Sequence, residues 1–328
     1  MSTVTITKTQ TRPRTFSLSL VSARVPPLLR LPPELVLDIL ELAIPDSTPK
    51  ILATISKTVC SFVDSIIYRT VVLDSKDTIN LFHRTTLSKS DTFLACHVKK
   101  LVITWPPPPK TLQFSRLLDI LAACTGLRAL VLPSGYDVDT LATILRAHRG
   151  NTLSEVIIQS HEGVSLLSMF YPNSMKVDYS SCPSSITHLR ICESSSGWVA
   201  PCEMLDMFGT LPQLTHLELP RRINANEDND ATFLADLRAI LRTRPSMKML
   251  VVTVFPQSWA PPQDVHESSI WEALSTLRNE DPRLVILKGQ NSRTRSAKTL
   301  RRQRNLHDDD FWAMARSSVE ADVVMSQA

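Results

Sequence analysis

Glycine is scarce in this chain, with seven in 328 residues. That leaves little material for loops that cradle phosphates. The sequence carries no P-loop, no G-x-S-x-G elbow and no H-E-x-x-H helix. Scattered Ser, His and Asp residues are what composition alone supplies at this length, so catalysis is disfavoured and no cofactor is implied. Cysteine is sparse too: Cys60, Cys96, Cys124, Cys182, Cys192 and Cys202, with no C-x-x-C pair. Such usage suits a reducing compartment, where thiols serve as small core residues. Cys182, Cys192 and Cys202 recur every ten residues, and His188 would share a strand face with Cys192. Four residues along a strand span about 13 Å, too far for bonds of ~2–2.3 Å to one ion, so no metal is expected. No apolar run reaches the ~18–20 residues of a membrane span. The first thirty residues contain no acid but carry Lys8, Arg12, Arg14, Arg24 and Arg30 among many Ser and Thr. They lack the apolar block of a secretory signal and read as a disordered leader over residues 1–27. The net charge of +4 is too small to indicate a nucleic-acid partner. These absences point to a protein of the cytoplasm or nucleus, with no membrane partner.

Hydrophobic residues make up 43% of the chain, enough for a small module and a larger domain. Residues Leu31 to Ala43 read as a helix, with proline at its start and Glu34 complementing the dipole. Its polar residues Glu34, Asp38 and Glu41 fall within an arc of about 60° at ~100° per residue. The rest is apolar, so the helix must be covered on several sides. A second helix is expected from Ile51 to Tyr68, separated from the first by Pro45 and Pro49. So small a module cannot enclose its own first helix, and part of that surface should meet another domain or protein.

The phrase Leu31-Pro32-x-Glu34-Leu35-x-x-x-Ile39-Leu40, followed by Ile55-Ser56-Lys57 and Ile67-Tyr68-Arg69, resembles the F-box. The resemblance covers about Leu28 to Arg69. Val59 and Tyr68 stand where that family commonly has tryptophans. It implies docking to the Skp adaptor of Skp–cullin–F-box ubiquitin ligases, with Leu31, Pro32, Leu35, Ile39, Leu40, Ile55, Val59 and Tyr68 as adaptor contacts. The module would occupy residues 28–70.

Beyond Arg69 an apolar phrase recurs: Val98-x-x-Leu101-x-Ile103, Leu127-x-x-Leu130-x-Leu132, Leu153-x-x-Val156-x-Ile158, Ile186-x-x-Leu189-x-Ile191, Leu214-x-x-Leu217-x-Leu219 and Met247-x-x-Leu250-x-Val252. A degenerate copy follows at Leu284-x-Ile286. Such alternation marks a strand with one buried face. The spacing is about 26 to 34 residues, long and uneven for a repeat of ~20–29. Amphipathic stretches at residues 115–124, 138–148, 202–208, 232–243 and 269–278 fill the gaps, and Val71-Val72-Leu73 reads as an opening strand. The expected fold class is α/β, a short helical F-box-like module followed by an irregular leucine-rich-repeat-like β/α solenoid over residues 71–290. The family's turn asparagine is replaced by Pro106, Gly135, His161, Ser194, Arg222 and Phe255, and a different α/β fold with a parallel sheet fits the pattern as well.

In a curved solenoid the non-core strand positions line the concave face: Lys100, Val102, Ala129, Val131, Glu155, Ile157, His188, Arg190, His216, Glu218, Met249 and Val251. Apolar patches around a polar centre suit the binding of a protein target. Thr187-His188-Leu189-Arg190 and Thr215-His216-Leu217-Glu218 would lie side by side, strands ~4.8 Å apart, and are the segments expected to contribute to recognition. A solvated pair of histidines with an ordinary cross-strand Arg190–Glu218 contact explains the same residues at least as well. Arg293, Arg295, Lys298, Arg301, Arg302 and Arg304 form the densest charge cluster. It sits in a tail, residues 291–328, expected to be mostly disordered, with Phe311 and Trp312 able to fold back onto the end of the repeats. Three functions compete: a substrate-recognition adaptor of a ubiquitin ligase, a repeat scaffold that keeps the F-box fold without a ligase, and a nucleic-acid binder acting through the basic run.

Overall fold

The computed structural model describes residues 27–44, 49–160, 184–193, 198–223, 227–256, 264–289 and 311–317. The chain divides into two compact units, Met1–Val63 and Asp64–Ala328. The leader's residues 1–26 and the basic run at 293–304 lie outside the described residues, as does Cys182.

The first unit opens with a 3-10 turn, Pro27–Arg30, and α1, Pro33–Ala43. Pro33 occupies the first helical position, where a missing N–H costs nothing. In place of one helix over residues 51–68 there are two, α2 (Pro49–Ala53) and α3 (Lys57–Arg69). The break lies at Thr54–Ser56. The Thr54 hydroxyl donates to the Ile51 carbonyl at 2.7 Å, and the Ser56 hydroxyl accepts from the Val59 amide at 3.1 Å. Short polar side chains thus take up backbone groups at one helix end and restart the next. The boundary between the units falls inside α3.

The second unit is built on one mixed α/β layer arrangement. Eight strands form a single all-parallel sheet in sequential order: β1 Thr70–Leu73, β2 Lys100–Ile103, β3 Ala129–Leu132, β4 Glu155–Ser160, β5 His188–Glu193, β6 His216–Arg222, β7 Met249–Phe255 and β8 Leu284–Lys288. Each recurring phrase yields one strand. Its first apolar residue stands two residues ahead of the strand, and Val98, Leu127, Leu153, Ile186, Leu214 and Met247 are all buried there.

Helices connect the strands: α4 (Lys76–Ser88), α5 (Asp91–His97), α6 (Leu112–Ala123), α7 (Val138–Ala147), α8 (Pro201–Asp206), α9 (Glu227–Thr243) and α10 (Ser269–Glu280). The apolar pattern specified neither α4 nor α5; their N-termini are set by Ser75 and Ser90, whose hydroxyls accept from Thr78 and Phe93 amides. Thr111, Asp137 and Ser268 cap α6, α7 and α10 in the same way. A further helix, α11, covers residues 311–317.

Register turns the repeated phrase into ladders. Val71, Leu101, Leu130, Val156, Leu189, Leu217, Leu250 and Leu284 are consecutive partners across all eight strands. They pack in one continuous core with Ile79, Leu117, Ile144, Leu205, Leu237 and Leu274 of the connecting helices. The connecting helices therefore cover the leucine face. A parallel pairing leaves the carbonyl before each strand free to accept from the next unit. Arg128, Ser154, Thr187 and Thr215 each accept two amides there. Hydroxyls reinforce three of these steps: Ser154 to Arg128, Thr187 to Ser154 and Thr215 to Thr187, at 3.2, 3.1 and 3.1 Å. This Ser/Thr ladder runs along the strand entrances, at the opposite end of the strands from the turns that lack asparagine.

Leu130 is fully buried midway along the ladder. Leu130→Ala is expected to cost about 2–5 kcal/mol through lost transfer energy plus the cavity left behind, read as a lower urea midpoint with unchanged slope.

Candidate functional site

Two surfaces carry the residues singled out above. The first lies on α1. At ~100° per residue, Leu35, Ile39 and Leu42 form a stripe between the polar arc and the buried side of the helix. Leu31 is 39% exposed, Leu35 48%, Ile39 43% and Leu42 77%; Pro32, Ile51 and Ile55 are also exposed. Three expected contacts are placed differently. Leu40 and Val59 are buried, as are Val36 and Val63, so their side chains are not presented at the surface. Tyr68 is half-buried, edge-on to Phe93 at 5.2 Å between ring centres, with the Lys89 ammonium 5.8 Å from its own ring centre.

The second surface is the face of the sheet opposite the leucines. Here the ladder rows read Thr70, Lys100, Ala129, Glu155, His188, His216, Met249 and then Val72, Val102, Val131, Ile157, Arg190, Glu218, Val251, Val285. It was expected to be open, and most of it is not. Val102, Val131, Glu155, Ile157, His216, Glu218 and Val251 are buried; Lys100, His188 and Arg190 are half-buried. On β1–β5 the apolar members pack on one another, Val102, Val131 and Ile157 with Val72 and Cys192. Towards β8 the cover is α11. Trp312 and Ala315 pack with Met249, Val251 and Val285, and Phe311 and Leu287 border them. The aromatic pair folds back onto the second face over β4–β8, reaching the last strands of the sheet, and residues 311–317 form a helix within the tail.

The polar centre beneath α11 is tightly knit. His188 and His216 are register partners and their rings stack at 4.2 Å, 10° from parallel. The Trp312 ring meets them at 5.4 and 5.1 Å. Its indole N–H donates to Glu155 Oε1 at 3.2 Å. The neighbouring Phe311 ring lies under the Arg190 guanidinium, 3.4 Å from the ring centre. Arg190 Nε donates to Glu218 Oε2 at 2.8 Å, and the other Glu218 oxygen accepts from the Thr253 hydroxyl at 2.9 Å. The histidine pair expected to be solvated is instead largely covered, and the Arg190–Glu218 contact is largely buried with both Glu218 oxygens bonded.

Threonine hydroxyls position both imidazoles. Thr187 and Thr215 hydroxyls touch His188 and His216 Nδ1 at 2.7 and 2.8 Å. Each hydroxyl also lies 3.1 Å from a carbonyl of the ladder, so it bridges the imidazole to the strand entrance. Burial, then His188, Lys248 and Arg316 push the His216 pKa down from the usual 6.5 to about 4. Burial opposes the charge of Arg190, but Glu218, Cys192 and Glu155 more than offset it and hold its pKa above the ordinary value.

Other chemistry-bearing groups are not gathered. Burial pushes the Cys124 thiol up to about 12, and burial followed by Asp236 raises Cys202 to about 11, away from thiolate reactivity. Among the described residues no group of three His, Cys, Asp or Glu stands close enough to hold a metal, and no helix is long and apolar enough to cross a membrane. The signal that sequence reasoning underused was Phe311-Trp312, two adjacent large aromatics in a polar tail. Comparison of the chain with protein-family models and with curated proteins gives no match.

Two outcomes are expected. Arg190→Ala leaves the Glu218 carboxylate buried beside Thr253 alone and should destabilise by about 3–5 kcal/mol, measured by urea unfolding. Between pH 6.5 and 4 an unfolded His216 binds a proton that the native one refuses. Stability should be greatest above about pH 6.5 and fall as the pH drops towards 4. Lys248 and Arg316 add cations around that ring and His188 stacks on it, while Glu155 and Glu218 lie on the same sheet face. A His216→Gln chain should show a flatter acid limb in thermal melts across that window.

Proposed function

We propose that the chain is a non-catalytic adaptor of a Skp–cullin–F-box ubiquitin ligase. In this reading α1 docks to the Skp adaptor and the parallel-sheet unit, taken as an irregular leucine-rich-repeat-like solenoid, holds a protein target. The observation that carries it is the exposed stripe of Leu31, Leu35, Ile39 and Leu42 on the helix whose sequence resembles the F-box. Four aliphatic side chains at ~1.5–3 kcal/mol each offer a gross gain of about 6–12 kcal/mol on burial. Lost rigid-body freedom costs on the order of 4–15 kcal/mol. Docking therefore depends on good shape complementarity, to which Pro32 and Ile55, also exposed, would contribute.

With no chemistry of its own, such a protein acts by proximity. It raises the effective concentration of target lysines near a charged ubiquitin-carrying enzyme. Sequential parallel strands joined by helices on one face fit a repeat architecture, and the second face supplies the recognition surface. The competing reading is a repeat scaffold that keeps the F-box fold without a ligase, in which Leu31, Leu35 and Leu40 are covered. Leu40 alone is buried, and the exposure of Leu31 and Leu35 favours the adaptor.

Purified Skp adaptor should retain the wild-type chain and lose at least ten-fold of it with Leu35→Asp plus Ile39→Asp. Both positions are exposed, so the fold should survive, as circular dichroism can establish. Equal retention of both forms rules out docking through α1.

A further inference from the structure

A parallel sheet needs cover on both faces, yet the connecting helices among the described residues serve the leucine face. At β4–β8 the second face is covered by seven residues that reach it from the far end of the chain. A helix of that length is not stable alone, so its order comes from the seat it occupies. The contact is one-sided: Trp312 and Ala315 are buried and Phe311 half-buried, while Ala313, Met314, Arg316 and Ser317 are exposed.

The seat is specific for aromatic side chains. The Arg190 guanidinium offers a flat cation to the Phe311 ring, and the His188–His216 stack offers an edge to the Trp312 ring. Glu155 accepts the indole N–H across 157 residues of sequence. Past them, Met249, Val251 and Val285 take the small Ala315, one turn on from Trp312. The bonds that hold the platform are internal to the sheet. Arg190 with Glu218, Glu218 with Thr253, and each histidine with its threonine are bonded to one another without any atom of α11. None of these bonds is lost when α11 leaves, and its departure exposes the apolar floor of Met249, Val251 and Val285.

We propose that the second sheet face at β4–β8 is a binding site for a helical protein segment carrying adjacent aromatics with a small residue three positions after the second, and that residues 311–317 occupy it as an intramolecular ligand which a target displaces. This rests on reading the second face as the recognition surface and is independent of docking through α1. The tether of residues 290–310 makes the internal ligand a competitor at an effective concentration fixed by its length. A target must therefore match the Phe311-Trp312 chemistry and either exceed it in affinity or arrive as a longer segment with contacts of its own.

The test uses the full chain and a fluorescently labelled peptide of residues 308–318. The Phe311→Ala plus Trp312→Ala chain should bind the peptide at least ten-fold tighter than wild type by anisotropy. The same peptide carrying Trp312→Ala should bind neither. Equal binding to both chains, or none to the variant, overturns the proposal. Should the variant lose its fold by circular dichroism, a wild-type chain with a protease site inserted at residues 291–305 decides. Cutting it after folding should raise peptide binding at least ten-fold, and unchanged binding overturns the proposal. Adaptor retention is read separately, so a failure here leaves α1 docking intact, and a failure of docking leaves this site intact.

Discussion

In-register parallel pairing is the constraint on which the second unit depends. It fixes which residues are neighbours: whatever stands at one position of a phrase lies ~4.8 Å from its counterpart in the next. Leucines repeat into a ladder, and the ladder needs helices against it. The intervening positions repeat into the opposite face with the same regularity, although nothing in the phrase says how that face is to be covered. Both the core and the candidate site follow from that geometry.

On the leucine side the solution is local. Each connection contributes apolar residues at helical spacing, and hydroxyl or carboxyl caps at Ser75, Ser90, Thr111, Asp137 and Ser268 decide where the helices begin. Strand entrances are tied by shared carbonyls and by the Ser154, Thr187 and Thr215 hydroxyls. These bonds also position the site, because Thr187 and Thr215 orient the histidines that follow them. Structural and recognition roles thus meet in the same threonines.

On the opposite side the solution is remote. Arg190 and Glu218 are brought together by register, desolvated, and roofed by a helix that begins 93 residues after Glu218 in the sequence. Burial of such a pair is tolerable only because both Glu218 oxygens are bonded and the guanidinium face lies against Phe311. The α1 unit poses the converse case. Its apolar stripe is exposed while Val36 and Leu40 on the neighbouring side of the same helix are buried, a division that suits a helix with two distinct faces to satisfy.

What the sequence by itself determined is the set of properties that depend on short spacing: one strand for each apolar phrase, the leucine side of each strand, most connecting helices, and the pairing of His188 with His216 and Arg190 with Glu218. Period-two and period-3.6 patterns carry that information because neighbours along an element are separated by fixed rises. The break of one helix at Thr54–Ser56 and the starts of α4 and α5 escaped it, since they hinge on single hydroxyls competing for backbone groups. Only the tertiary structure decided that Leu40 and Val59 turn inward while Leu35 and Ile39 do not, and that Phe311 and Trp312 cover the sheet's second face. Those outcomes depend on which surfaces meet across long stretches of chain, and one-dimensional periodicity holds no record of such meetings.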